Sequence, residues 1–83
     1  MYFFAQGTIH NPAQLAEMQD AETKALRALK AEGTVLAAYR KPMGGIVSFV
    51  QGESEASIRE RMATLPFVAH GLLIFEYTEV INL

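Results

Sequence analysis

Tyr2 to His10 alternates, with Tyr2, Phe4, Gln6 and Thr8 on one side and Phe3, Ala5, Gly7 and Ile9 on the other. A period of two built from aromatic and β-branched residues predicts a strand. The period then changes. Over residues 13–31 Leu15, Met18, Ala25, Leu26 and Leu29 recur at the three- and four-residue spacing of one helix face. Asn11-Pro12, with Gln14 three residues after the asparagine, predicts an N-cap with a capping box, and Gly33 predicts the stop. Alternation returns over 34–41, with Val35, Ala37 and Tyr39 on one face and Leu36, Ala38 and Arg40 on the other. Pro42-Met43-Gly44 predicts a turn into a third strand over 46–50, and the closeness of the two strands predicts a hairpin. Ser54 caps a second helix over about 55–64, whose buried side is Ile58, Met62 and Leu65, and Pro66 breaks it. Leu65 to Gly71 reads as an apolar loop, and Leu72 to Val80 as the fourth strand.

The order β-α-β-β-α-β is the ferredoxin-like split βαβ unit, an α+β class, with both helices on one sheet face. Strands one, three and four carry apolar residues on both faces: Phe3 with Phe4, Ile46 with Val47, Leu73 with Ile74. A solvated sheet face should instead be polar. The pattern therefore predicts a cover for the second face, most simply a second copy of the sheet in a two-fold homodimer. The chain has 83 residues, so one domain over 1–83 is expected, and 51% of them are apolar, more than so small a core can hide.

One position breaks the first helix's apolar stripe. Glu22 falls in the row of Met18, Ala25, Leu26 and Leu29. A carboxylate there is costly unless paired, hydrogen-bonded or neutral, and perturbed carboxylates concentrate where protons move. The alternative is a glutamate at the stripe edge whose head group reaches water. Little else in the composition points to chemistry. Net charge is −2, and no basic run is longer than Arg40-Lys41, so a nucleic-acid footprint is not expected. There is no cysteine for a disulfide or thiolate metal site. The first ten residues lack a basic signal-peptide start, and no apolar stretch approaches a membrane span, so the expected compartment is the cytoplasm.

Several short features, in order, resemble the muconolactone Δ-isomerases and their relatives. They are Met1-Tyr2-Phe3-Phe4, Glu22 ten residues before Glu32, Glu32-Gly33-Thr34, Arg40 at the end of the second strand, and Leu65-Pro66-Phe67 after the second helix. The resemblance implies a dimeric α+β barrel able to form larger rings. It also implies an enzyme that shifts a proton within a small unsaturated lactone during catechol breakdown, without metal or organic cofactor. The chain departs from the family in having Val35-Leu36-Ala37-Ala38 where aromatic and basic residues stand, and Gly44-Gly45-Ile46-Val47 where the third strand begins with polar and aromatic ones. Family members also continue past the fourth strand, where this sequence ends at Leu83.

A 1,3-proton shift in a butenolide needs one group that accepts and returns a proton, and donors or positive charge near the developing dienolate oxygen. Glu22 in an apolar pocket suits the first role, and Arg40 is the natural cation for the second or for a substrate carboxylate. Arg40 has a bland reading too, as a partner of Glu22 that would lower the glutamate's pKa. His70 is a candidate for the pocket mouth or a structural histidine. Tyr39 offers a hydroxyl to the cavity or packs in the core. Ser48 lines the inner sheet face or fills space. Two function classes stay open: a cofactor-free isomerase of a small unsaturated ring acid, and a non-catalytic or ligand-binding dimer that keeps the fold without the chemistry.

Overall fold

The structure, a computed structural model, describes residues 1–83. Strand β1 (Tyr2–Ile9) leads through a single 3₁₀ turn (Pro12–Gln14) into helix α1 (Leu15–Glu32). A hairpin follows, formed by β2 (Val35–Arg40) and β3 (Ile46–Gln51). Helix α2 (Glu55–Met62), a short helix α3 (Pro66–Ala69) and strand β4 (Leu73–Val80) complete the chain. The four strands form one antiparallel sheet in the order β2-β3-β1-β4, the split βαβ arrangement the pattern predicts. No helix is long and apolar enough to cross a membrane.

The helices cover one sheet face, and the core lies between. Phe3 and Ala5 of β1, Val50 of β3, and Leu73 and Phe75 of β4 meet Leu29 of α1, Ile58 and Met62 of α2, and Phe67 of α3. Burying one such side chain contributes about 1.5–3 kcal/mol. Gly7 faces the same layer because nothing larger fits. A Cβ there would stand 2.7 Å from Leu73 Cδ1 and 2.8 Å from Phe75 Cε1.

Local signals explain most boundaries. Gly33 ends α1 at φ 90°, and Thr34 N–H donates to the Leu29 carbonyl across the end. Ser54 and Ser57 exchange side-chain and backbone hydrogen bonds as a capping box for α2. Three expectations change. Asn11 forms no side-chain cap; it takes a left-handed φ of 50° and feeds the 3₁₀ turn, so the predicted Asn11–Gln14 box is absent. The segment expected to be a plain loop contains α3, which Pro66 opens. Third, β2 slips by one residue between Val35 and Ala37. Val35 pairs with Val50, whereas Ala38 and Arg40 pair with Ser48 and Ile46. A β-bulge lets two residues face one. It places Val35, Ala38 and Arg40 together on the helix side, and Leu36, Ala37 and Tyr39 on the other.

That other face is bare in the single chain. Phe4 packs on Phe49 across β1 and β3 with ring centroids 5.3 Å apart, and Leu36, Tyr39, Phe49 and Ile74 are exposed.

Candidate functional site

Glu22 is where the stripe places it, facing the core from the middle of α1 and only 7% exposed. Its Oε1 accepts a hydrogen bond from the backbone N–H of Phe67, at 2.8 Å. Phe67 is in the first turn of α3, where N–H groups have no partner within the helix. Glu22 thus caps α3 from another helix, 45 residues away in sequence. Its second oxygen, Oε2, makes no hydrogen bond, yet no buried side-chain polar atom lacks a partner. Oε2 is therefore reachable from outside. Burial pushes the Glu22 carboxyl above the ordinary carboxylate value, and the Phe67 N–H opposes this more weakly.

The space it faces is a cleft of about 340 Å³ between α1, α3 and the ends of β1, β2 and β3. Leu15, Leu26, Ile46 and Phe67 form apolar walls, and Gln19 and Thr23 add polar groups on the α1 side. Arg27, Lys30 and Arg40 line it as well. Glu22 is its single carboxylate, so the cleft carries a local excess of positive charge in a chain of net charge −2. The β2 bulge is what aims Arg40 here: without the slip, Arg40 would lie on the face away from Val35 and the core.

Arg40 does not pair with Glu22. The chain's two ion pairs are Glu55–Arg59 and Glu32–Arg61, and neither uses a cation of the cleft. None of Arg27, Lys30 and Arg40 forms an ion pair with Glu22. The cleft therefore combines one carboxyl whose pKa is raised with three cations that take no part in the chain's ion pairs. Such a set of groups can move a proton on a small molecule and hold negative charge that develops on it.

Of the remaining candidate residues, none lines the cleft. Tyr39 lies on the uncovered sheet face and is 60% exposed, because the bulge turns it away from the helices. Ser48 does face the helices, but it is buried and donates its hydroxyl to the Ala37 carbonyl at 2.8 Å, which ties down the bulge. His70 caps the C-terminal end of α3 and is exposed. Sequence reading passed over Gln19, Thr23, Arg27 and Lys30. Their spacing of four, four and three was the available signal, since it sets them along the flank of the Glu22 stripe.

A larger groove of about 430 Å³ lies near the C-terminal end, with Leu36, Phe49, Val80 and Ile81 among its walls. It has no charged side chain. No group of three or more His, Cys, Asp and Glu side chains is arranged to hold a metal ion.

No family model matches the sequence, and no curated protein sequence matches it. Solved structures do. The fold is similar to 5-chloro-2-hydroxyhydroquinone dehydrochlorinase from Burkholderia phenoliruptrix AC1100, solved in complex with 2,5-dihydroxybenzoquinone. The TM-score is 0.80 at 16% identity, over 99% of this chain and 95% of that one. It is also similar to muconolactone isomerase, with a TM-score of 0.78 at 18% identity, over 99% of this chain and 90% of that one. At these identities the likeness establishes the architecture: this chain has the α+β fold of muconolactone isomerase.

Proposed function

We propose that the protein is a cofactor-independent isomerase that shifts a proton within a small unsaturated lactone or a related ring acid. The observation that carries this reading is the divided Glu22 carboxylate. One oxygen is fixed by the Phe67 N–H, and the other is open at a cleft of mixed apolar and cationic lining that includes Arg40. Glu22 Oε2 takes the acidic proton from the ring carbon beside the unsaturated lactone carbonyl. The electron pair left behind delocalises into a dienolate, whose oxygen Arg40 stabilises. The same carboxylic acid then returns the proton two carbons away, and the double bond moves. Desolvation suits Glu22 to this work by bringing its basicity closer to that of the dienolate. Two proteins of this fold, named for chemistry on small oxygenated rings, support the substrate class.

A second reading is a ligand-binding dimer without turnover. It draws on the same cleft, where Glu22 is the one group suited to proton transfer and Tyr39, Ser48 and His70 are all elsewhere. Deuterium exchange at the carbon acid of a butenolide in D₂O separates the two. The isomerase exchanges, and Glu22→Gln slows exchange by about 10²-fold or more. Equal rates in both proteins remove Glu22 from the mechanism. Binding without exchange in either assigns the cleft to the second reading.

The uncovered sheet face belongs to the same proposal. A second copy packed sheet to sheet would bury Phe4, Leu36, Phe49 and Ile74, and the assembly would be a homodimeric α+β barrel. The cleft opens on the helix side, so each protomer keeps its own site.

A further inference from the structure

We propose that Ser48 is a positioning residue for the reaction. It fixes where β2 bulges, and so decides that Arg40, and not its neighbour Tyr39, faces the cleft. This deepens the isomerase reading and rests on it for the chemistry, but not for the register of the strand.

The two ends of β2 are held independently. At one end the Gln51 N–H and side-chain amide donate to the Thr34 and Gly33 carbonyls, and Val35 pairs with Val50. At the other end the Lys41 N–H donates to the Gly45 carbonyl and the Gly44 N–H to the Lys41 carbonyl, which closes the turn. Gly44 and Gly45 take φ of 102° and 97°, and a Cβ on Gly45 would stand 3.0 Å from the Gly7 carbonyl oxygen. Other residues rarely adopt such angles, so the turn is closely specified. Between these two ends β2 has one residue more than β3. The extra residue must be accommodated somewhere, and its place sets the faces of the strand.

Side chains alternate with period two, so moving the bulge turns over every residue it passes. With the extra residue at Leu36-Ala37, as observed, Ala38 and Arg40 face the helices and Tyr39 faces away. With it moved to the turn end, unbroken alternation from Val35 would bring Ala37 and Tyr39 to the helix side and turn Arg40 out. Hydrophobicity does not choose between the two, because Leu36, Ala37 and Ala38 are all apolar. A polar contact does. Ser48 stands opposite Ala38 and donates its hydroxyl to the Ala37 carbonyl at 2.8 Å. The shifted register would set Ser48 opposite Ala37 itself and change that geometry. Ser48 is 2% exposed, in a row with Ala5 and Ala38. A buried hydroxyl is costly unless bonded, and an alanine would fill a row of small residues without that demand. Ser48 does not line the cleft, so it acts on the ligand through Arg40.

Three variants test this: Ser48→Ala, Ser48→Thr and a deletion of Leu36. The deletion removes the extra residue and leaves Val35, Ala38 and Arg40 in their observed pairs with no bulge to hold. NMR reads the register without turnover, and deuterium exchange into a butenolide reads its consequence. In Ser48→Ala the resonances of Ala37 to Arg40 are expected to broaden or split, with new contacts from the Tyr39 ring to Leu26 on the cleft wall. The maximal exchange rate should fall about fivefold, with substrate affinity within about twofold of wild type, because Arg40 acts on the developing dienolate. Ser48→Thr keeps the hydroxyl and should restore both. In the protein lacking Leu36, adding Ser48→Ala should change neither the register nor the rate. Should the deletion not fold, the Ser48→Thr rescue decides alone. The proposal is overturned if Ser48→Ala leaves the Tyr39 and Arg40 resonances and the exchange rate unchanged, if Ser48→Thr fails to rescue, or if Ser48→Ala acts equally with and without Leu36. If no variant and no wild type exchanges the butenolide while the register responds as expected, the isomerase reading fails and the positioning by Ser48 stands.

Discussion

One Glu22 oxygen caps α3 and the other is open to the cleft, and substitutions can separate the structural role from the proposed chemical one. Glu22→Ala removes the acceptor for the Phe67 N–H at the start of α3 and opens a hole, so it should destabilise the fold by about 1–3 kcal/mol. Glu22→Gln keeps an acceptor oxygen and the shape while removing the buried charge. The folded protein holds the Glu22 proton more tightly than the unfolded chain, whose value is near 4.5. Wild-type stability is therefore full below that value and is lost as pH rises through the elevated folded value. Glu22→Gln should accordingly be more stable than wild type at pH 8, by about 0.5–1 kcal/mol or a few degrees in Tm, and the gap should close toward pH 4 in thermal melts. A gap that widened on acidification would mean that the carboxylate is stabilised rather than strained. The odd status of Glu22 was legible because a charge in an apolar helical row stands out. Its partner was not, because a backbone N–H in a distant segment leaves no mark in a side-chain pattern. For the same reason Arg27 and Lys30 did not stand out: that they line the cleft depends on what the fold brings opposite them.

At the scale of elements, period and punctuation carried most of the reading. Gly33 and Ser54 mark their helix ends locally, and both act as their residue types suggest. The β2 bulge left no trace, because Leu36 and Ala37 are both apolar and alternation through them looks unbroken. That silence assigned Val35 and Arg40 to opposite faces when the strand puts them on one. Ser48→Ala tests the bulge. It removes the hydroxyl that holds the Ala37 carbonyl, should cost about 1 kcal/mol, and should shift the amide resonances of Ala37 and Arg40. At Gly7 the sheet touches its own core. Gly7→Ala forces its methyl against Leu73 and Phe75 and should lower stability by about 1–3 kcal/mol in chemical denaturation.

At the scale of the whole molecule, the helix-covered face holds the core and the cleft, and the opposite face leaves aromatic and aliphatic side chains in water. In solution we expect a homodimer through that second face. Sedimentation at micromolar concentration should give the dimer mass, and Phe49→Glu, which puts a charge on the middle strands of that face, should give the monomer. A stable wild-type monomer would refute the sheet-to-sheet assembly and leave the cleft, which one chain builds, unaffected. The two-layer architecture was legible because element order and strand patterning are properties of the whole chain. The cleft was not, because it forms where α1, α3 and a slipped strand meet.

The central claim is that Glu22 and the cations of the cleft act on one small molecule. The most direct measurement is an NMR titration of the ¹⁵N-labelled protein with a butenolide bearing an acetate arm. The account predicts that the Phe67 amide, whose proton is bonded to Glu22, moves together with those of Ile9, Lys30 and Arg40, while Val47 and Glu76 on the opposite sheet face stay put. Shifts confined to the opposite face, with the Phe67 amide unmoved at saturation, would contradict it.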